Sequence, residues 1–450
     1  EDGLEYTFVL KDDIKWSNGD EITAEDFEYS WKRVLDPEKA HDYAFQLFYL
    51  KNGEEYLKGE ATAEEVGVKA VDDKTLEVTL KAPVAYFKDL TAFYTLYPIN
   101  SKVDQENPDW AKKADTYVSN GPFVLDQWDP NSKIILVKND EYYEADKVKV
   151  DGIDLDVIEE ASTAYEKFDA GEYDILVDPP QQVVAEKLEN NDPLLEVGKM
   201  AGTYYYNLNT ENPLFANAKV RNALSMALDR QIIVDKIAQG GQMPAEGVVP
   251  FGLPDPDGKE FREYNGSLVT EDKEKAKELL EEGLKEEGLT VDDLNGAVLL
   301  YNTSEGHQKI AEAVQEMWRQ NLGIEIGLEN VDFQVKLDRE KAGDYEISRA
   351  GWIGDYADPM TMVELWQSDS AFNDANYNNP EYDRLVDEVK ASNDQELRFN
   401  NMAEAEKLLM EDMPVIPVYF YTQPYLVQEN VKGIYKALLE YPTLTYAEID

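Results

Sequence analysis

Apolar and polar positions alternate over residues 4–10, which predicts a strand with two unlike faces. Ser17-Asn18-Gly19-Asp20 follows as a turn signal. Thr23-Ala24-Glu25-Asp26 then reads as a helix start, with Thr23 at the N-cap and acids in the first turn. Asp36-Pro37 ends that helix. Strands are predicted at 66–71 and 76–80, joined by the charged turn Asp72-Asp73-Lys74-Thr75. The aromatic stretch 83–97 reads as helical or irregular.

Asn120-Gly121-Pro122 forces a turn and opens a new segment. Strands are predicted at 123–128, 133–138 and 149–157. A helix over 161–170, ended by Gly171, leads into a strand at 173–177, which suggests parallel sheet building. Residues 204–209 form a strand of tyrosines. Helices follow at 217–226 and 229–238, the second ended by Gly240-Gly241, and a charged one spans 271–287. Strand 298–301, helix 304–321 ended by Gly323, and strand 324–328 imply a parallel crossover. Helices at 380–391 and 394–410 precede an apolar strand at 414–421, and the tail from Gln423 returns to strand and turn. The pattern is α/β. At 450 residues the chain exceeds one core and suggests two or three domains, read as two lobes with a cleft between them.

One stretch breaks the pattern. After the strand-like run Tyr345-Glu346-Ile347-Ser348, residues 349–358 hold an Arg, two Gly, a Trp, a Tyr and two carboxylates, closed by Pro359. Glycines let another backbone come close, and the aromatic and charged neighbours are unusual for a plain surface loop. This stretch reads as the floor of a binding cleft.

Charge narrows the partners. With 43 basic and 93 acidic residues the net charge is −50, which repels nucleic acid and anionic membrane surfaces. The acidity fits a highly soluble surface, or saline or alkaline surroundings outside the cytoplasm. There is no Cys, so disulfides and thiol chemistry are excluded. The chain opens at Glu1-Asp2-Gly3 directly into a strand, as a processed or truncated product would. No G-x-S-x-G, phosphate loop or H-E-x-x-H is present, and the only histidines are His41 and His307. Asp255-Pro256-Asp257-Gly258 hints at a calcium loop but lacks the remaining ligand spacing. The reading is no catalytic residue, no metal and no cofactor. What remains is tyrosine in extended segments, at 204–209, 301–304, 349–356 and 419–421, which suits small-ligand contact.

Several short pieces stand out as a set. They are Lys15-Trp16-Ser17-Asn18-Gly19, Thr23-Ala24-Glu25-Asp26-Phe27, Tyr29-Ser30-Trp31 and Ser119-Asn120-Gly121-Pro122-Phe123. Thr203-Tyr204-Tyr205-Tyr206-Asn207, Val220-Arg221-Asn222-Ala223-Leu224 and Asp229-Arg230 follow. Tyr301-Asn302-Thr303-Ser304 with His307, the 349–355 stretch and 414–421 complete the series. In this order they cover nearly the whole chain. The sequence resembles the solute-binding proteins of oligopeptide ABC importers, in the peptide/nickel-type extracytoplasmic family.

That resemblance implies a two-lobed type II periplasmic-binding-protein fold with an additional third domain. Residues 1–105 would be the extra domain, 106–201 and 423–450 the first lobe, and 202–422 the second. The implied protein is a non-enzymatic monomer that captures oligopeptides and delivers them to an ABC permease. It would work outside the cytoplasm, periplasmic or lipid-anchored at the cell surface. Relatives on this scaffold carry nickel chelates, haem or oligosaccharides, or sense peptides, and these readings stay open. A secreted acidic hydrolase is the reading from another class. Family members begin with an acid-containing strand that lies along the ligand, after a lipid-attached Cys. Neither is in this sequence, so the expectation is that half of the ligand's backbone pairing is missing.

The resemblance also assigns roles. Asp355 would take a peptide's ammonium, and Arg349 and His307 its carboxylate end. Gly351, Trp352 and Ile353 would pair with its backbone, Gly351 giving it room to approach. Tyr205, Tyr421 and Tyr43 would wall the pocket, and Trp352 would cover a side-chain pocket. Asp358 is expected to serve only the turn before Pro359.

Overall fold

The computed structural model describes residues 3–39, 41–436, 438–439 and 442–450. The chain divides into two compact units. The first comprises residues 1–179, 390–393 and 426–450, and the second residues 180–389 and 394–425.

In the first unit, β1 (Glu5–Val9), β2 (Val68–Ala70) and β3 (Thr75–Thr79) form an antiparallel sheet in the order β1-β3-β2. The helix Ala24–Val34 starts at Thr23, in a capping box with Asp26. Asp26 is 4% exposed and does more than cap. Its oxygens also accept from the Trp16 indole (3.0 Å) and the Ser101 backbone (3.0 Å). On the same helix, Tyr29 and Arg33 both donate to Asp104, as does Trp110. A second antiparallel sheet joins β4 (Phe123–Asp129), β5 (Lys133–Lys138) and β6 (Gly152–Asp156). The helix Ala161–Asp169 then leads to β7 (Ile175–Val177). β6 and β7 lie in different sheets, so the parallel crossover expected here does not form. A helix between two strands predicts that both exist, not that they pair. Near the C-terminal side, Gln428 donates from its backbone to the Asp174 carbonyl and from its side chain to the Phe168 carbonyl, each at 2.9 Å.

The second unit is built on β8 (Leu195–Leu208), β9 (Met243–Pro244), β10 (Val298–Asn302), β11 (Gly327–Val331), β12 (Ile347–Ile353) and β13 (Val415–Val427). Their order is β11-β10-β12-β8-β13, with β9 on β13. β10 and β11 pair in parallel across the helix Glu305–Leu322, as the strand-helix-strand pattern predicts. That helix is capped by Ser304 and ended by Gly323 at φ 73°. Trp318 on it is fully buried and donates to the Leu224 carbonyl (2.8 Å), within a core that includes Leu299, Ile347 and Val418. Arg262 and Glu406 form an ion pair with no exposed side-chain surface (2.6 Å).

Several boundaries differ from expectation. β8 and β13 are longer than the tyrosine and apolar runs that announced them. The strand expected at 324–328 begins at Gly327, where its register with Val298 starts. The helix expected at 229–238 is a short α-turn, Arg230–Ile232, passing into a π-helical stretch, Ile233–Ala238. Gln239, not Gly240 or Gly241, takes the left-handed position after it (φ 53°).

Candidate functional site

The 348–359 stretch is not a loop throughout. β12 runs on to Ile353 and is flanked on both sides. Against β8 it is antiparallel over its whole length, with Arg349 opposite Tyr206, Gly351 opposite Tyr204 and Ile353 opposite Gly202. Against β10 it pairs only at Ile347 and Ser348. Beyond Ser348 that second edge has no strand partner among the described residues.

Which backbone groups face the open edge follows from the ladder. Gly354 N–H donates to the Ala201 carbonyl (2.8 Å), so 354 and 201 are a bonded pair. Bonded and non-bonded pairs alternate in an antiparallel ladder. Trp352 therefore spends its backbone groups on Thr203, while those of Gly351 and Ile353 point away from β8. Of the three residues expected to offer backbone pairing, Trp352 is removed on this ground.

Alternation also sorts the side chains. Arg349 is on one face with Tyr204, Tyr206 and Tyr421. Its Nη2 donates to the Tyr421 hydroxyl (2.9 Å) and its Nη1 to Asn302 Oδ1 (3.4 Å). The guanidinium stands 4.6 Å from the centre of the Tyr204 ring. His307, in the first turn of the helix Glu305–Leu322, lies beside the same ring, centroids 5.6 Å apart. Burial first, then the charges of Arg349 and Lys336, lower the His307 pKa to about 3. The imidazole is thus neutral at ordinary pH, and Arg349 supplies the charge.

Tyr205 and Trp352 lie on the opposite face of the sheet. Tyr205 packs edge-on against Trp366 (5.6 Å) and Trp352 against Phe372 (4.8 Å). The Trp352 indole N–H has no hydrogen-bond partner among the described residues. Tyr43 belongs to the first unit, in a cluster with Phe45, Phe93 and Tyr94. The structure thus groups Arg349, His307 and Tyr421, and places Tyr205 and Trp352 behind them.

Gly351 is explained differently from expectation. The direction its side chain would take is filled by the Tyr421 hydroxyl, so any larger residue here must displace Tyr421 or shift the strand. Asp355 follows the strand, half-buried, its backbone N–H donating to Thr361 Oγ1 (2.8 Å). Asp358 is 7% exposed and pairs with Arg398 (2.8 Å) while accepting from the Met360 backbone. It is structural, as expected, but through a buried ion pair rather than the turn alone. Asp255 accepts from the backbone of Asp257 and Lys259, which makes its segment a self-bonded turn. Among the described residues no group of three or more His, Asp or Glu could hold a metal ion, and no helix is long and apolar enough to cross a membrane.

Tyr204 and Asn302 are contacts of Arg349 that the sequence does not announce. Both lie in the tyrosine-bearing extended segments, and what brings them to Arg349 is a strand register that no local pattern records.

Residues 1–374 match the family of bacterial extracellular solute-binding proteins, family 5 Middle. The chain belongs to this family. It is 44% identical to the oligopeptide-binding protein OppA of Bacillus subtilis, over 96% of this chain and 80% of that protein. Among solved structures it is similar to Haemophilus influenzae OppA in complex with RPPGFSPFR, with a TM-score of 0.87 at 32% identity, covering 100% of this chain and 88% of that one. The substrate-binding domain of an oligopeptide ABC transporter from Bacillus anthracis gives a TM-score of 0.89 at 36% identity, over 100% and 88% of the two chains. As a family 5 solute-binding protein the chain has the three-domain class II periplasmic-binding fold, and the fold class read from the sequence stands.

Proposed function

We propose that this family 5 protein captures oligopeptides outside the cytoplasm and hands them to an ABC-type permease. It acts as a binding protein and not as an enzyme. The observation that carries the reading is the open edge of β12. Gly351 and Ile353 direct N–H and C=O groups away from β8 with no partner among the described residues, which suits an added extended strand. Backbone pairing is the same for every sequence, so affinity would not depend on side chains.

The ends of the ligand give the rest. Asp355 takes the ammonium, and Arg349, steadied by Tyr421 and Asn302, takes the carboxylate. Six residues of near-extended chain span at most about 20 Å, which suits a short peptide with its termini at the two groups. The division into 1–105, 106–201 with 423–450, and 202–422, the monomeric state and the periplasmic or lipid-anchored position belong to the same proposal. Mass spectrometry of ligands released from the purified protein tests it. A ladder of mixed peptides is expected; a single sugar or a metal chelate would overturn it.

A further inference from the structure

A buried charge pair that this function leaves unused lies behind β12. Lys336 and Glu340 are one turn apart on the helix Phe333–Lys341, with Nζ 2.6 Å from Oε2 and side chains 4% and 2% exposed. The pair is only half satisfied. Glu340 Oε1 has no hydrogen-bond partner among the described residues. Ser348 Oγ stands next to Glu340 without meeting hydrogen-bond geometry. Ser348 immediately precedes Arg349 in β12, so the pair sits one residue away along the strand, on the opposite face.

The helix that bears the pair packs against β10, the strand that pairs with β12 at Ile347 and Ser348. Lys336 acts on His307 together with Arg349, and Arg349 in turn acts on Lys336. The other groups that face the pair are accounted for. Asp374 is held by Lys341 at 3.1 Å, and Tyr205 and Tyr345 keep their protons because burial raises their pKa. Arg349, Lys336 and Lys341 against Glu340 and Asp374 leave one net positive charge.

Resting on the peptide-capture reading, we propose that Lys336 and Glu340 are positioning residues that set the charge preference of the Arg349 site. Glu340 offsets part of the Lys336 charge, so a ligand meets mainly the charge of Arg349. That site favours one carboxylate over a neutral end. Without Glu340 the preference for the carboxylate would steepen, and without Lys336 it would flatten. Opposite charges act strongly across a dry sheet, which is why a buried pair can do this and a surface pair cannot.

The test compares the unmodified chain with Glu340→Gln, Lys336→Gln and the double variant. Each is titrated by calorimetry with the same short peptide carrying a free or an amidated C-terminus. The readout is the ratio of the two affinities within each protein, which a general loss of stability does not move. The ratio is expected to rise about tenfold in Glu340→Gln, to fall about tenfold in Lys336→Gln, and to return to the unmodified value in the double variant. His307 provides a second readout without peptide. Its ring, followed by NMR, takes its proton at higher pH in Lys336→Gln. Equal ratios in all four proteins, or the same direction of change in both single variants, overturn the proposal. If one single variant does not fold, the sign of change in the other, with the double variant as reference, still decides. If the unmodified chain takes no peptide, the capture reading falls, and an unmoved His307 titration would remove the charge-setting role as well.

Discussion

The hydroxyl of Tyr421 fills the space into which a side chain on Gly351 would project, and the same hydroxyl accepts a hydrogen bond from Arg349. One oxygen thereby ties the glycine of β12 to its cation. Gly351→Ala must displace Tyr421 or shift the strand, at a cost of about 1–3 kcal/mol. The expected outcome is a lower denaturation midpoint and weaker peptide binding. Adding Tyr421→Phe should recover much of the stability and little of the binding, because Arg349 still lacks its support. Denaturant unfolding and calorimetry on both variants check this.

Asp355→Asn separates amine pairing from backbone pairing. Removing one partner of a dry ion pair costs about 3–5 kcal/mol, so peptides with a free N-terminus should lose at least about two orders of magnitude in affinity. N-acetylated peptides should bind the variant and the unmodified chain alike. Equal binding of free peptides to both proteins would remove Asp355 from the proposed role.

The depressed pKa of His307 has a definite sign. Folded, the ring protonates only near pH 3; unfolded, it protonates near its ordinary 6.5. Between those values the unfolded chain binds the extra proton, so stability falls as pH falls from about 6.5 towards 3. The share owed to His307 amounts to a few kcal/mol at the acid end of that window. His307→Gln should flatten this part of the pH profile. Urea unfolding at pH 7.5 and pH 5 compares the two proteins, and parallel losses would sink the assignment.

A net charge of −50 predicts a salt effect opposite to that of a protein held by ion pairs. Screening relieves self-repulsion in the compact state, so raising sodium chloride from about 0.01 to 1 M should raise the melting temperature. A scan in which salt lowers it would show that surface pairs such as Lys219 with Glu282 and Glu286 outweigh the repulsion.

Local chemistry was legible in the sequence and distant pairing was not. Thr23 with Asp26, Ser304 and Gly323 mark helix ends through contacts within a few residues, and the structure places them there. The α/β class followed from the same short-range periodicities. The site divides along that line. Arg349 and Gly351 stood out by residue type, but the role of Gly351 depends on Tyr421, seventy positions away. Trp352 lost its expected backbone role because β8 claims it, and no local pattern records which strand is a neighbour. The Lys336–Glu340 pair is invisible for another reason: on a chain with 93 acids, a Lys and a Glu four apart look like any solvated helix face.

Gln428 binds the carbonyls of Phe168 and Asp174 across some 260 positions, and residues 426–450 are part of the first unit. Residues 1–179 of that unit are made before the second unit and residues 426–450 after it. The second unit is complete before the last segment of the first emerges. A nascent chain therefore carries the first unit without residues 426–450 while the second unit is being made. Its dense negative charge makes unfinished chains repel one another at that stage.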